Sequence, residues 1–154
     1  MDSTQQPISL IGGDDAAVTD NGAAPLVTPI EAQTLANRNY RTTLWTGKNL
    51  QCTLMTIPVG GDIGLEVHPD NDQFLRIEAG TAKVELGPDK DHLTAFTAKA
   101  DDAVFVPAGT WHNLTTVGDE PLKLYSIYAP SHHPFNTVHK TKEDAMNDPA
   151  EQDD

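Results

Sequence analysis

Gly60-Gly61-Asp62-Ile63-Gly64-Leu65-Glu66-Val67-His68-Pro69-Asp70-Asn71-Asp72-Gln73 is the stretch on which the fold turns. On an extended strand, side chains two residues apart point to the same side. Glu66 and His68 therefore project together and Val67 faces the other way. Further on, Pro107-Ala108-Gly109-Thr110-Trp111-His112 uses a Pro–Gly turn to deliver a histidine at the start of another strand.

Outward from these segments the chain reads as short strands separated by turn residues. Leu50 to Leu54 alternates apolar with polar and stops at Pro58-Val59-Gly60-Gly61. A short run ends at Glu66, followed by Gln73–Glu78 and Thr81–Leu86, whose Ala79-Gly80 connection signals a tight hairpin. Leu93–Ala98, Ala103–Val106, Trp111–Val117 and Leu122–Tyr128 complete a set of about nine strands near ten-residue spacing, which predicts an all-β sandwich or barrel. Thr28-Pro29-Ile30-Glu31 predicts a helix before them, capped by Thr28 and ending near Ala36. Thr141 to Met146 predicts a second, weak helix. Ile8 to Ile11 offers a short edge strand.

The spacing of the two segments resembles the two motifs of the cupin superfamily, small jelly-roll β-barrels. Their first motif runs glycine, five residues, His-x-His, three or four residues, Glu, six residues, glycine. Here Gly60 is followed by five residues, Glu66-x-His68, four residues, Gln73, six residues and Gly80. Their second runs glycine, five residues, Pro-x-Gly, two residues, His, three residues, Asn. Pro107-x-Gly109-Thr110-Trp111-His112 matches its middle, with Asp101 in place of the leading glycine and Thr116 in place of the closing asparagine. The resemblance implies a single, cupin-2-like jelly-roll barrel with short flanking helices. Carried over position by position, it implies a metal bound by Glu66, His68, Gln73 and His112.

Two imidazoles, a carboxylate and an amide oxygen suit Zn, Mn, Fe, Ni or Co. The ligand set is similar to that of phosphomannose isomerases, with the Gln and Glu positions exchanged. This implies a metal-dependent isomerase or lyase acting on a small sugar-like or hydroxy-carbonyl compound. The alternatives are a non-haem dioxygenase and a non-catalytic small-ligand or metal-binding module. Against the phosphosugar reading, no inward cluster of Lys and Arg is evident. Alternation turns Leu75, Ile77, Leu114, Thr116, Leu122, Leu124, Ser126 and Tyr128 inward, which predicts a mostly apolar cavity.

Around the site, Asp70 reads as a solvated turn residue, with a role as acceptor for His68 the alternative. His132, His133 and His139 follow the last strand; a proline-flanked surface loop is the favoured reading, and folding over the barrel mouth the other. Trp111 reads as packing, and His92 follows a turn.

The 154 residues support one domain with its own core. The formal net charge is −13, from 23 Asp plus Glu against 10 Lys plus Arg. Residues 1–24 carry four acids and no base, and residues 141–154 carry six acids and one base. This divides the chain into a flexible acidic N-terminal segment (1–24), the cupin domain (25–140) and an acidic tail (141–154). With no basic stripe, nucleic acid is excluded as a partner. No apolar run is long enough to cross a membrane, and no signal peptide is evident. The lone Cys52 makes no internal disulfide and reads as a buried core residue of a reduced, cytoplasmic protein. The expected partners are a small-molecule substrate or ligand and a second copy in a homodimer.

Overall fold

Alternating residues become sheet wherever both of their faces find a neighbour. The structure is a computed structural model that describes residues 18–151. Among them nine strands form: β1 (Arg41–Thr46), β2 (Gln51–Ile57), β3 (Asp72–Ala79), β4 (Thr81–Gly87), β5 (Thr94–Lys99), β6 (Ala103–Val106), β7 (Trp111–Val117), β8 (Leu122–Ala129) and β9 (Val138–His139). They build a six-stranded sheet in the order β6-β3-β8-β2-β1-β9 and a three-stranded sheet in the order β5-β4-β7, all antiparallel. The all-β expectation holds.

One core lies between the sheets. Leu75 and Ile77 of β3, Leu122 and Leu124 of β8 and Leu114 of β7 are completely buried in it, with Val84 of β4 and Ala98 of β5. Burying apolar surface here is the dominant favourable term of folding. A smaller cluster of Leu44, Cys52 and Leu54 lies on the other face of the large sheet, packed by Ile30 of the helix α1 (Ile30–Ala36). That helix ends where expected, but Pro29 rather than Thr28 occupies its cap position, and no side chain caps it. With φ −76° and ψ 85°, Pro29 stands outside the helix, while the Thr28 hydroxyl accepts from Gln33 Nε2 at 3.4 Å.

Two strand expectations are corrected. Ala79-Gly80 is not a hairpin: β3 and β4 belong to different sheets, and the dipeptide turns the chain from one to the other. Gly80 has φ +90°, and a Cβ on it would meet the Pro121 carbonyl oxygen at 2.6 Å. Only glycine permits both the conformation and that close approach. The run ending at Glu66 is not a strand either; it touches β7 through the isolated bridges Asp62↔Thr115 and Glu66↔His112.

Residues near both ends of the described segment pack onto the sheets. Asp20 is buried; its Oδ1 accepts from Gly22 N and Thr46 N at 2.9 Å, and its Oδ2 accepts from Asn136 N at 3.0 Å. At the other end the expected helix forms as α2 (Lys142–Met146), with the Thr141 hydroxyl accepting from Asp144 N at 3.1 Å. A 3₁₀ turn at Pro149–Glu151 follows. Residues near both ends of the described segment are therefore held by the folded unit. The suggested strand Ile8–Ile11 lies outside the described residues. Among the described residues, no helix is long and apolar enough to cross a membrane.

Cys52 is 6% exposed, and burial pushes its thiol up to about 12. It should be inert to a colorimetric thiol reagent at pH 8 and react fully once denaturant unfolds the chain. Rapid modification of the native protein would contradict this placement.

Candidate metal centre

The site begins with backbone pairing. Glu66 N donates to His112 O at 3.0 Å, and His112 N donates to Glu66 O at 2.9 Å. Residues opposed in this way send their side chains to the same face. Gly109 N donates to the His68 carbonyl at 2.9 Å, and the Asp72 carboxylate accepts from Ala108 N at 2.9 Å. The Pro107–Gly109 turn is thus clipped to both ends of the loop that carries His68. Gln73 points inward from β3 and is buried.

His68 Nε2 lies 3.2 Å and His112 Nε2 3.3 Å from Glu66 Oε2. One donor atom from each of these residues falls within 4.8 Å of the others, a grouping able to hold a metal ion. His112 Nδ1 lies 3.0 Å from the Thr110 carbonyl, an acceptor, so Nδ1 carries a proton. Gln73 Nε2 donates to Ser126 Oγ at 2.8 Å, which leaves the amide oxygen free. Gln73 Oε1, His112 Nε2 and both ring nitrogens of His68 are buried without a hydrogen-bond partner. Such orphaned groups are costly unless something binds them. Burial opposes the charge on Glu66, but the two imidazoles outweigh it and hold its carboxyl below the usual carboxylate range. The donor set fits a divalent transition metal.

A cavity of about 280 Å³ adjoins Glu66. It is not the mostly apolar chamber that alternation suggested. The inward leucines and Ile77 fill a solid core, and the cavity is lined instead by Tyr40, Arg41, His132, His133, Lys142 and Glu151, with apolar contributions including Ile63 and Met146. The segment after β8 is therefore not a plain surface loop. Its His132 ring packs 4.2 Å from that of His68, centroid to centroid, and His133 and His139 are buried. Gln51, fully buried on β2, clamps the segment: Oε1 accepts from His132 N and His133 N at 3.0 and 2.9 Å, and Nε2 donates to His133 O at 2.8 Å.

His133 joins a chain of polar groups. Its Nδ1 lies 2.9 Å from both Glu151 oxygens, and its Nε2 lies 3.3 Å from Tyr128 Oη. An ionised carboxylate only accepts, so His133 donates from Nδ1 and receives the Tyr128 hydroxyl at Nε2. Burial, reinforced by the Arg41 charge, holds His133 well below the usual histidine range, and burial pushes the Tyr128 hydroxyl up. Burial also raises the Glu151 carboxyl, with Arg41 pulling against it.

Asp70 is exposed and makes no hydrogen bond to His68. Trp111 carries Lys90 over its ring at 5.4 Å, and His92 pairs with Asp89 on the surface. Arg41 and Glu151 were missed in the sequence; neither lies in a motif, and only long-range packing brings them to the cavity.

The cupin domain family profile matches residues 53–128. The Bacillus subtilis protein YrkC, itself uncharacterized, is 56% identical over 128 residues that cover 82% of this chain and 69% of YrkC. The crystal structure of BH2720 from Bacillus halodurans superposes with a TM-score of 0.84 at 54% identity, over 85% of this chain and 100% of that one. Oxalate decarboxylase of Bacillus subtilis, which contains Mn(II) centres, matches with a TM-score of 0.52 at 26% identity, over 56% of this chain and 23% of the enzyme.

Replacing Gln51 by leucine strips partners from two backbone N–H groups and one carbonyl. Chemical denaturation of Gln51→Leu should show a loss of about 1–3 kcal/mol or more. Unchanged stability would mean that the clamp is not needed to hold this segment.

Proposed function

The chain belongs to the cupin domain family, and on that premise we propose that Glu66, His68, Gln73 and His112 hold a divalent transition metal serving a lyase or isomerase reaction on a small hydroxy-carbonyl compound. The observation that carries this reading is the convergence of unpartnered donor atoms on one point beside a cavity. Apart from the Glu66 carboxylate, 3.2 and 3.3 Å from the two Nε2 atoms, no group among the described residues pairs with them. The oxalate decarboxylase likeness supports manganese within the Zn, Mn, Fe, Ni and Co group, and supports the lyase half of the proposal.

When bound, such a metal polarises a carbonyl or hydroxyl oxygen and stabilises negative charge developing there. The chain's own residues do the rest. The Thr110 carbonyl fixes the His112 tautomer so that Nε2 presents its lone pair, and Ser126 engages the Gln73 amide nitrogen, leaving its oxygen as the available ligand atom. His132 brings an imidazole against His68 at the cavity wall, where it can exchange a proton with a bound compound. His133 stays neutral and passes hydrogen bonding from Tyr128 Oη through its ring to Glu151. Lys142 is tied to Asp62 at 2.6 Å and anchors α2 beside the cavity.

Protein purified without added metal should carry about one transition-metal ion per chain by elemental analysis. Glu66→Ala and His112→Ala should each lose most of it, and full occupancy in either variant would rule out this site. With the metal in place, NMR in heavy water should show proton exchange at carbon, or cleavage, in a hydroxy-carbonyl compound. Oxygen consumption by iron-loaded protein would favour the dioxygenase reading, and tight ligand binding without product the binding-module reading.

Ser126→Ala leaves Gln73 free to rotate away while removing no ligand. Metal affinity, measured by competition with a chelator, should fall roughly tenfold with the fold intact. An unchanged affinity would remove Gln73 orientation from the account.

A further inference from the structure

The charged groups that line the cavity are matched, with one exception. Lys142 meets Asp62 at 2.6 Å, Glu151 meets His133 at 2.9 Å, and Glu66 faces His68 and His112. Arg41 opens β1 and lines the same cavity, yet no carboxylate among the described residues lies within ion-pair distance of it. It is nevertheless only 7% exposed, and its Nε is buried without a hydrogen-bond partner. An unpaired buried guanidinium is strongly unfavourable, so its retention calls for an anion.

The way Arg41 is held sharpens this demand. His139 Nε2 lies 2.9 Å from Asp148 Oδ2, and His139 Nδ1 lies 3.3 Å from Arg41 Nη1. The Asp148 carboxylate accepts from Nε2–H, so Nδ1 offers a lone pair to the guanidinium. A neutral acceptor therefore orients Arg41 without cancelling its charge. The Tyr40 ring, 5.2 Å from Arg41 Cζ, supports the guanidinium from one side. With Nη1 on His139, Nε is the nitrogen left buried without a hydrogen-bond partner, and it shares an edge of the guanidinium with Nη2. That fork matches the two oxygens of a carboxylate.

We propose that Arg41 is a carboxylate clamp, so that the compound reaching the Glu66–His68–His112 cluster is a small organic acid anion held on the Nε/Nη2 edge. This rests on the reading of the adjoining site as a metal centre, and it narrows the substrate from hydroxy-carbonyl compounds in general to those bearing a carboxylate. The cavity volume, about 280 Å³, lies just under the range of drug-sized pockets and suits an anion of a few carbons. His139 and Asp148 are positioning residues for Arg41.

The test is titration calorimetry with malonate, its neutral diamide and inorganic phosphate, run on the wild-type protein, Arg41→Gln and Arg41→Lys, with metal content measured in each. The wild type should bind malonate and ignore the diamide. Arg41→Gln should lose malonate affinity by roughly tenfold or more while keeping its metal. Arg41→Lys keeps the charge but not the fork, guards against a folding defect in the first variant, and should bind malonate with intermediate affinity. Malonate binding that is absent in the wild type, or unchanged in both variants, overturns the clamp. Phosphate binding tighter than malonate and lost with Arg41 overturns the carboxylate assignment. If the wild type carries no metal, the metal reading fails separately, and an Arg41-dependent preference for malonate over the diamide still supports the clamp.

Discussion

The candidate centre depends on the pair of backbone hydrogen bonds between Glu66 and His112. They join an irregular loop to the first residues of β7, and opposition in an antiparallel bridge leaves both side chains on one face. His68 follows by strand alternation from Glu66, and Gln73 is brought opposite by β3 in the other sheet. A slip of one residue in that bridge would turn the carboxylate and the imidazole to opposite faces. The lesser contacts protect the register: Asp72 on Ala108, Gly109 on His68, and Asn113 on Gly64.

The site is a polar layer resting on an apolar one. Below it, leucines from both sheets pack into the core. Above it, the segment after β8 and the turn that ends at Glu151 close over Glu66 with histidines, carboxylates and Arg41. Buried polar groups elsewhere are mostly paired, as Asp20 and Gln51 show. Orphaned atoms lie on His68, Gln73, His112 and Arg41, with further ones on Thr43, Thr53 and Arg76. A polar group is left unsatisfied in a folded protein at a cost, and such costs persist where a ligand can repay them.

Much of this was legible in the linear chain. Period-two alternation marked these strands because each has one face in the core; β7 has the expected limits, and β2, β3 and β8 extend a residue or a few beyond theirs. The Pro–Gly turn placed His112. Asp101 stands where the resembled motif has glycine, and it takes φ +77° as that position requires; a short polar side chain tolerates the left-handed region better than most. Local signals failed where long-range contacts decide. Ala79-Gly80 has the composition of a hairpin, but the carbonyl of Pro121 presses on Gly80 and the strands part into separate sheets. Pro29 displaced Thr28 from its capping role by taking a non-helical conformation itself.

The division between the two levels follows from the range of the interactions. The sequence by itself determined an all-β domain, the inward set of residues and the four candidate ligands, because alternation and motif spacing are properties of neighbours along the chain. The net charge, a sum over residues, was legible at that level as well. Only the tertiary structure decided that His132 lies against His68, that His133 links Tyr128 to Glu151, and that Arg41 enters the cavity held by His139. Those groups come from β1, the segment after β8 and the turn at Pro149–Glu151, far apart in sequence. No local pattern encodes their meeting, which requires burial of the whole core and pairing of its sheets before the polar layer can close.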